Sequence, residues 1–164
     1  MIKHRQRILN FLTVIVPVIA LIVIPKWTVD DAFISYRYGV NLAQAGELNW
    51  NLGDPAIEGY TGVLLPLLAA LFFSIGINVI TGIKVLGVLA CLGTAWIIRK
   101  SLNELGVRPI IQALATLLFL LSPIVYIHAL SGLETIIFTS LIASVLFFQQ
   151  KLLRSNISTS YTFI

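Results

Sequence analysis

Two adjacent carboxylates, Asp30 and Asp31, followed by Arg37 and interleaved with Tyr36 and Tyr38, are the residues of this chain best equipped for chemistry. A carboxylate within hydrogen-bond reach of a hydroxyl can accept its proton, and a nearby cation can stabilise negative charge growing on a leaving group. Two further polar islands are of the same kind: Glu58-Gly59-Tyr60-Thr61 and His128-Ala129-Leu130-Ser131-Gly132-Leu133-Glu134. Lys84 stands near the start of a long apolar run. Each has a plainer alternative. Asp30 caps a helix and Asp31 favours its dipole. Arg37 pairs with Asp30 seven residues away. Glu58 is solvated, Tyr60 and His128 anchor at an interface, and Lys84 snorkels.

The setting sharpens the question, because 58% of the 164 residues are apolar and 11% are charged. Acids close to a bilayer are costly unless they have a function. With a mean hydropathy of +0.95 and apolar runs near 20 residues, the chain reads as an all-α polytopic membrane protein. The net charge of +4 is spread over helix ends rather than gathered into a stripe, which argues against a nucleic-acid partner. Cys91, the single cysteine, excludes an intrachain disulfide framework and reads as a small buried hydrophobe.

The apolar segments are Ile8–Pro25, Gly62–Ile77, Val79–Ile98, Pro109–Ile127 and Thr135–Phe148. The first follows a basic N-terminus but ends without a small-x-small cleavage site, so it reads as an uncleaved span. If all five crossed, Arg99, Lys100, Arg108, Lys151 and Arg154 would face outside, against the positive-inside rule. If Gly62–Ile77 does not cross, Lys3, Arg5, Arg7, Arg99, Lys100, Arg108, Lys151 and Arg154 lie inside with Glu104, and Asp30, Asp31, Glu47, Asp54, Glu58 and Glu134 lie outside with Lys26, Arg37 and Lys84. That segment holds 16 residues with Pro66 and Gly76. As a helix it measures about 24 Å, short of a ~30 Å hydrocarbon core. The expectation is four transmembrane helices plus one embedded, non-crossing helix, with outer loops at 26–80 and 128–134 and a polar tail at 155–164. Within the first loop an amphipathic helix is expected from Asp30 to Ala45, stopped by Gly46. Its Asp30, Arg37, Asn41 and Gln44 form a stripe about 60° wide, suited to facing a cavity at the interface.

The motifs Asp-Asp-x-x-Ile-Ser-x-Arg-Tyr (30–38), Trp-Asn-x-Gly (50–53), Glu-Gly-Tyr-Thr (58–61) and Ser-Gly-Leu-Glu (131–134), in this order after a first span, resemble the N-terminal part of GT-C fold glycosyltransferases. The bacterial arabinofuranosyltransferase-like members are closest. Protein O-mannosyltransferases, aminoarabinose transferases and oligosaccharyltransferases are more distant. The resemblance covers most of residues 8–150. The chain departs from the pattern at Leu52, where a proline is common, at Gly62, where an asparagine is common, and by about one extra residue between Gly53 and Glu58. It is also much shorter than such enzymes, which suggests a fragment.

The resemblance implies transfer of a sugar from a polyprenyl-phosphate carrier to a hydroxyl or amine of a glycan, lipid or protein acceptor, on the outer face of a bacterial inner or plasma membrane. Asp30 becomes the first choice as catalytic base, with Asp31 beside it. Arg37 and Lys84 would lie near the carrier phosphate, Glu58 would bind sugar or position acceptor, and Tyr60 would stack on a sugar ring. Glu134 would help bind substrate or, with Asp31 and His128 nearby, hold a divalent metal; the expectation is no metal, with an Asp31–Glu134 site as the alternative. Two rivals stand beside the glycosyltransferase: a small transporter or channel subunit, and an inactive membrane remnant. A transporter places ionisable groups near the midplane, whereas here the acids gather in loops. The Asn156-Ile157-Ser158 sequon falls on the inner side in this topology and is set aside.

Overall fold

The structure is a computed structural model that describes residues 11, 15, 27–55 and 57–161, with backbone alone for 155–161. The first expected span and its basic flank lie outside the described residues. Those residues form six helices and no strand: α1 Asp30–Ala45, α2 Leu64–Ser74, α3 Val79–Glu104, α4 Pro109–Leu121, α5 Pro123–Leu130 and α6 Thr135–Tyr161.

The helix α1 has the expected bounds. Gly46 ends it at φ 75°, its N–H donating to the Leu42 carbonyl, the left-handed stop that glycine adopts at no steric cost. Its start differs. Val29 is the cap residue, in extended conformation and without a side-chain cap bond, so Asp30 is the first helical residue rather than the cap. The Val29 N–H is instead committed to the Ser131 carbonyl at 2.9 Å, which ties the start of α1 to the 131–134 turn. Asp30 and Asp31 then both occupy the first turn, where a carboxylate complements the helix dipole.

Two helices are long and apolar enough to cross a membrane: α3, and α6 over Thr135–Arg154. The expected span 109–127 is broken. Its two halves, α4 and α5, bend by 55° and qualify as a third crossing only if taken together. The cause is local. Pro123 pushes the preceding Ser122 into extended conformation, at φ −68° and ψ 121°, because its ring clashes with a helical neighbour. The break lengthens the helical path, so His128 lies inside α5 and the expected 128–134 loop shrinks to 131–134. At the other end, α6 runs on through Tyr161, so most of the expected polar tail is helical. The 11 residues of α2 measure about 16 Å.

Packing arranges these helices in two layers. Val88, Cys91 and Ala95 of α3 meet Leu120 of α4, Ala129 and Leu130 of α5, and Ile136 and Ile137 of α6 in one core. In the second, Ala32 and Tyr36 of α1 meet Leu65 and Ala69 of α2, with Ile83 of α3 beneath. The α1–α2 crossing depends on Gly39: a Cβ there would fall 2.6 Å from the Ala69 Cβ, so only glycine admits this approach. Outside the cores, α6 is buried over only 17% of its apolar window, against 50% for α3. Phe138, Leu141, Val145, Leu146 and Phe148 all face outward. So large a bare apolar face calls for lipid or further protein as its solvent.

Charge is distributed unevenly between two ends, with Arg37 and Lys84 at the acid-rich one and Glu104 at the basic one. The α1 start and the 131–134 turn, joined by the Val29–Ser131 bond, carry Asp30, Asp31 and Glu134. The far ends of α3 and α6 meet through Gln150 donating to the Ser101 carbonyl and through the Arg154–Glu104 pair at 3.6 Å. Arg99, Lys100, Arg108 and Lys151 lie at that end of the bundle.

Candidate functional site

An open cleft of about 680 Å³ lies between α1, the 59–62 segment and the start of α6. Asp31, Tyr60 and Glu134 line it together with Ser35, Thr61, Gly62 and Thr135. Residues up to 107 positions apart thus share one cavity, and three of its walls are helix starts. Asp31 is in the first turn of α1, Leu64 at the cleft wall is the first residue of α2, and Glu134 immediately precedes α6. The Glu134 carbonyl accepts the Phe138 N–H at 2.8 Å, the first bond of α6. The starts of three helices therefore border one cavity.

The turn carrying Glu134 is held from below. The buried Tyr36 hydroxyl donates to the Gly132 carbonyl at 2.6 Å. Gly132 has φ 87°, and a Cβ there would lie 2.6 Å from that hydroxyl. The left-handed backbone and the close oxygen both require glycine. Burial pushes the Tyr36 phenol well above its ordinary value, and the negative charge of Glu134 pushes it the same way, so it remains a donor throughout the physiological range. The turn is completed by the Leu133 N–H donating to Ser131 Oγ at 3.2 Å.

The other wall of the cleft is set by aromatic packing. Tyr38, buried, donates its hydroxyl to the Ile57 carbonyl at 2.6 Å, and its ring meets Tyr60 edge-to-face with centroids 4.9 Å apart. Tyr60 is thus partly fixed by a neighbour while its remaining surface borders the cleft.

Not all the expected site residues join this cavity. Asp30 is exposed at the α1 start and does not line it; Glu58 is exposed one residue before its rim. Arg37 turns to the 46–63 loop. Its Nε donates to the Trp50 carbonyl at 2.8 Å and a terminal nitrogen to Asn51 Oδ1 at 2.7 Å, with the guanidinium 4.3 Å from the Trp50 ring centroid. Asn41 adds bonds to the Asn49 and Trp50 carbonyls. The polar stripe of α1 therefore faces its own following loop, and no ion pair joins Arg37 to Asp30 among the described residues. Lys84 is 6% exposed and donates to the Trp27 carbonyl at 2.6 Å, tying α3 to the residues before α1. His128 lies in the last turn of α5, away from the cleft. Asp31 and Glu134 do share the cavity, but no group of three or more metal-ligating side chains occurs among the described residues.

Ser35 and Thr135 were not singled out from the sequence, though a signal existed. Asp31, Ile34 and Ser35 follow i, i+3, i+4 spacing and so occupy one face of α1; that face, not the Asp30–Arg37–Asn41 stripe, borders the cleft. Compared with protein-family models, with curated proteins and with solved structures, the chain matches none.

Proposed function

We propose that this chain carries the acid end of a membrane glycosyltransferase that takes a sugar from a polyprenyl-phosphate carrier. The observation that carries the proposal is the cleft where Asp31 and Glu134 meet the first turns of α1, α2 and α6. In the proposed reaction the acceptor oxygen attacks the anomeric carbon, the bond from that carbon to the phosphate oxygen breaks, and the electron pair leaves with the polyprenyl phosphate. The acceptor proton passes to Asp31, which lines the cleft where Asp30 does not. A carboxylate so placed supplies general-base catalysis. The helix N-termini stabilise the leaving phosphate, a role left open by Arg37 and Lys84, whose donors are directed elsewhere. Glu134 and Tyr60 orient the sugar through its hydroxyls and ring face.

In this proposal the bundle sits in a bacterial plasma membrane, crossed by α3, the bent α4–α5 pair and α6; the fourth expected crossing lies outside the described residues. The short α2 lies embedded without crossing, and the cleft opens on the outer face. The gathering of Arg99, Lys100, Arg108, Lys151 and Arg154 at the other end supports that orientation. A transporter is less well supported, because Lys84, near the start of α3, is the one charged side chain within the apolar stretches 79–98, 109–130 and 135–150.

The test is sugar transfer by the full chain in membranes, with a panel of polyprenyl-phosphate pentoses and hexoses as donors. Asp31→Asn is expected to lower the rate by about 10²–10⁴-fold, and Asp30→Asn by less than about tenfold. Transfer unaffected by Asp31→Asn would overturn the assignment.

A further inference from the structure

A second cleft, of about 410 Å³, opens at the basic end where α3 meets α4. Trp96, Arg99, Lys100 and Asn103 line it from α3, and Pro109 and Gln112 from α4. The spacing 96, 99, 100, 103 puts all four α3 side chains on one face. The floor is built rather than incidental. Gln112, buried, donates to the Val107 carbonyl at 2.7 Å and to Asn103 Oδ1 at 3.3 Å, which fixes the α3–α4 connection. Trp96 is 56% exposed, and the Lys100 ammonium lies 5.7 Å from its ring centroid. The only acid at this end, Glu104, faces Arg154. No carboxylate therefore pairs with Arg99 or Lys100 among the described residues. Beyond the cleft α3 exposes Val85 and Leu89 on the same face as Trp96.

We infer that this cleft binds the headgroup of an anionic phospholipid, with Arg99 and Lys100 on the phosphate and Trp96 at the glycerol level. Each element has a physical reason. Two unpaired cations at the end of a membrane helix attract anionic lipid. An exposed indole prefers the headgroup boundary. The bare apolar surface further along α3, at Val85 and Leu89, accommodates the acyl chains. The inference requires only that α3 crosses a membrane and is independent of the glycosyltransferase proposal.

The full chain, placed in phosphatidylcholine nanodiscs, is titrated with phosphatidylglycerol brominated on its acyl chains while tryptophan emission is followed. Phosphatidylglycerol is expected to quench at mole fractions where brominated phosphatidylcholine does not, and Trp96→Phe to remove that difference. Arg99→Gln with Lys100→Gln is expected to raise the midpoint about tenfold. The charge-keeping pair Arg99→Lys with Lys100→Arg, which checks folding, should leave it within about threefold of the wild-type value. Lys151→Gln, a cation at the same end but outside the cleft, should shift it less than about twofold. Equal quenching by the two lipids would refute the site. An equal shift from Lys151→Gln would replace it with a diffuse field, and reversal of quenching by inorganic phosphate would make the ligand a free anion.

Discussion

The two ends of the helical bundle are organised differently. At the acid end, side chains reach across long stretches of sequence to backbone carbonyls: Tyr36 to Gly132, Tyr38 to Ile57, Arg37 to Trp50 and Lys84 to Trp27. At the basic end, cations line a helix face and the ties are shorter in sequence or exposed: Gln112 to Val107 and Asn103, Gln150 to Ser101 and Glu104 to Arg154. A side chain bonded to a distant backbone carbonyl fixes the backbone geometry of a loop, as a preorganised site needs. A row of cations on a helix face fixes little backbone geometry, but it concentrates positive charge at one end of the bundle. One end is constructed to hold shape and the other to hold potential.

That contrast predicts a ranking of mutational effects. The largest should come from Gly39→Leu, which forces bulk against Pro66 and Ala69 and should separate α1 from α2 at a cost of about 3 kcal/mol or more. Early proteolysis between residues 46 and 63, with α3 and α6 still protected, is the expected signature; protection unchanged from wild type would mean that the crossing is looser than its geometry shows. Next, Tyr36→Phe leaves the Gly132 carbonyl without its donor and should cost about 1–2 kcal/mol, read as a lowered thermal midpoint.

The same tyrosine sharpens the comparison through pH. Its phenol titrates above the ordinary value near 10 because it is buried and faces Glu134. The unfolded chain therefore releases this proton at about pH 10 while the folded chain retains it. The Tyr36 contribution to stability is complete below pH 10 and is lost as pH rises further. Tyrosinate absorbance should lag in the folded protein, and the lag should shrink in Tyr36→Phe; a lag unchanged by that substitution would remove Tyr36 from the account.

Smaller still, Arg37→Lys loses the forked contact with Trp50 and Asn51 and should cost about 1 kcal/mol, visible as faster hydrogen exchange at 49–51. The smallest effect belongs to the basic end, where Glu104→Gln removes an exposed ion pair and should change stability by no more than about 0.5 kcal/mol. An effect there as large as that of Tyr36→Phe would erase the distinction between the ends.

Much of this was legible in the residues. Acids at 30 and 31 and glycine at 46 delimit α1, because dipole and left-handed stop are local effects. The break at Ser122–Pro123 was equally local and was passed over only because hydropathy runs through it unchanged. The cap at Val29 was not legible, since its partner is Ser131, 102 residues away. Nor was the direction of the Arg37–Asn41 stripe. Amphipathicity shows that a polar face exists, not what it meets, and here it meets the chain's own next loop.

The sequence by itself determined a helical chain with apolar runs long enough to cross a membrane and with most of its acids and bases in different stretches, because hydropathy and charge are additive along a chain. Only the tertiary structure decided that Asp31 rather than Asp30 borders a cavity with Glu134 and Tyr60. Neighbouring residues on a helix point 100° apart, and which direction is inward depends on Gly39 letting α1 settle on α2 and on Val29 and Tyr36 fastening the 131–134 turn beside it.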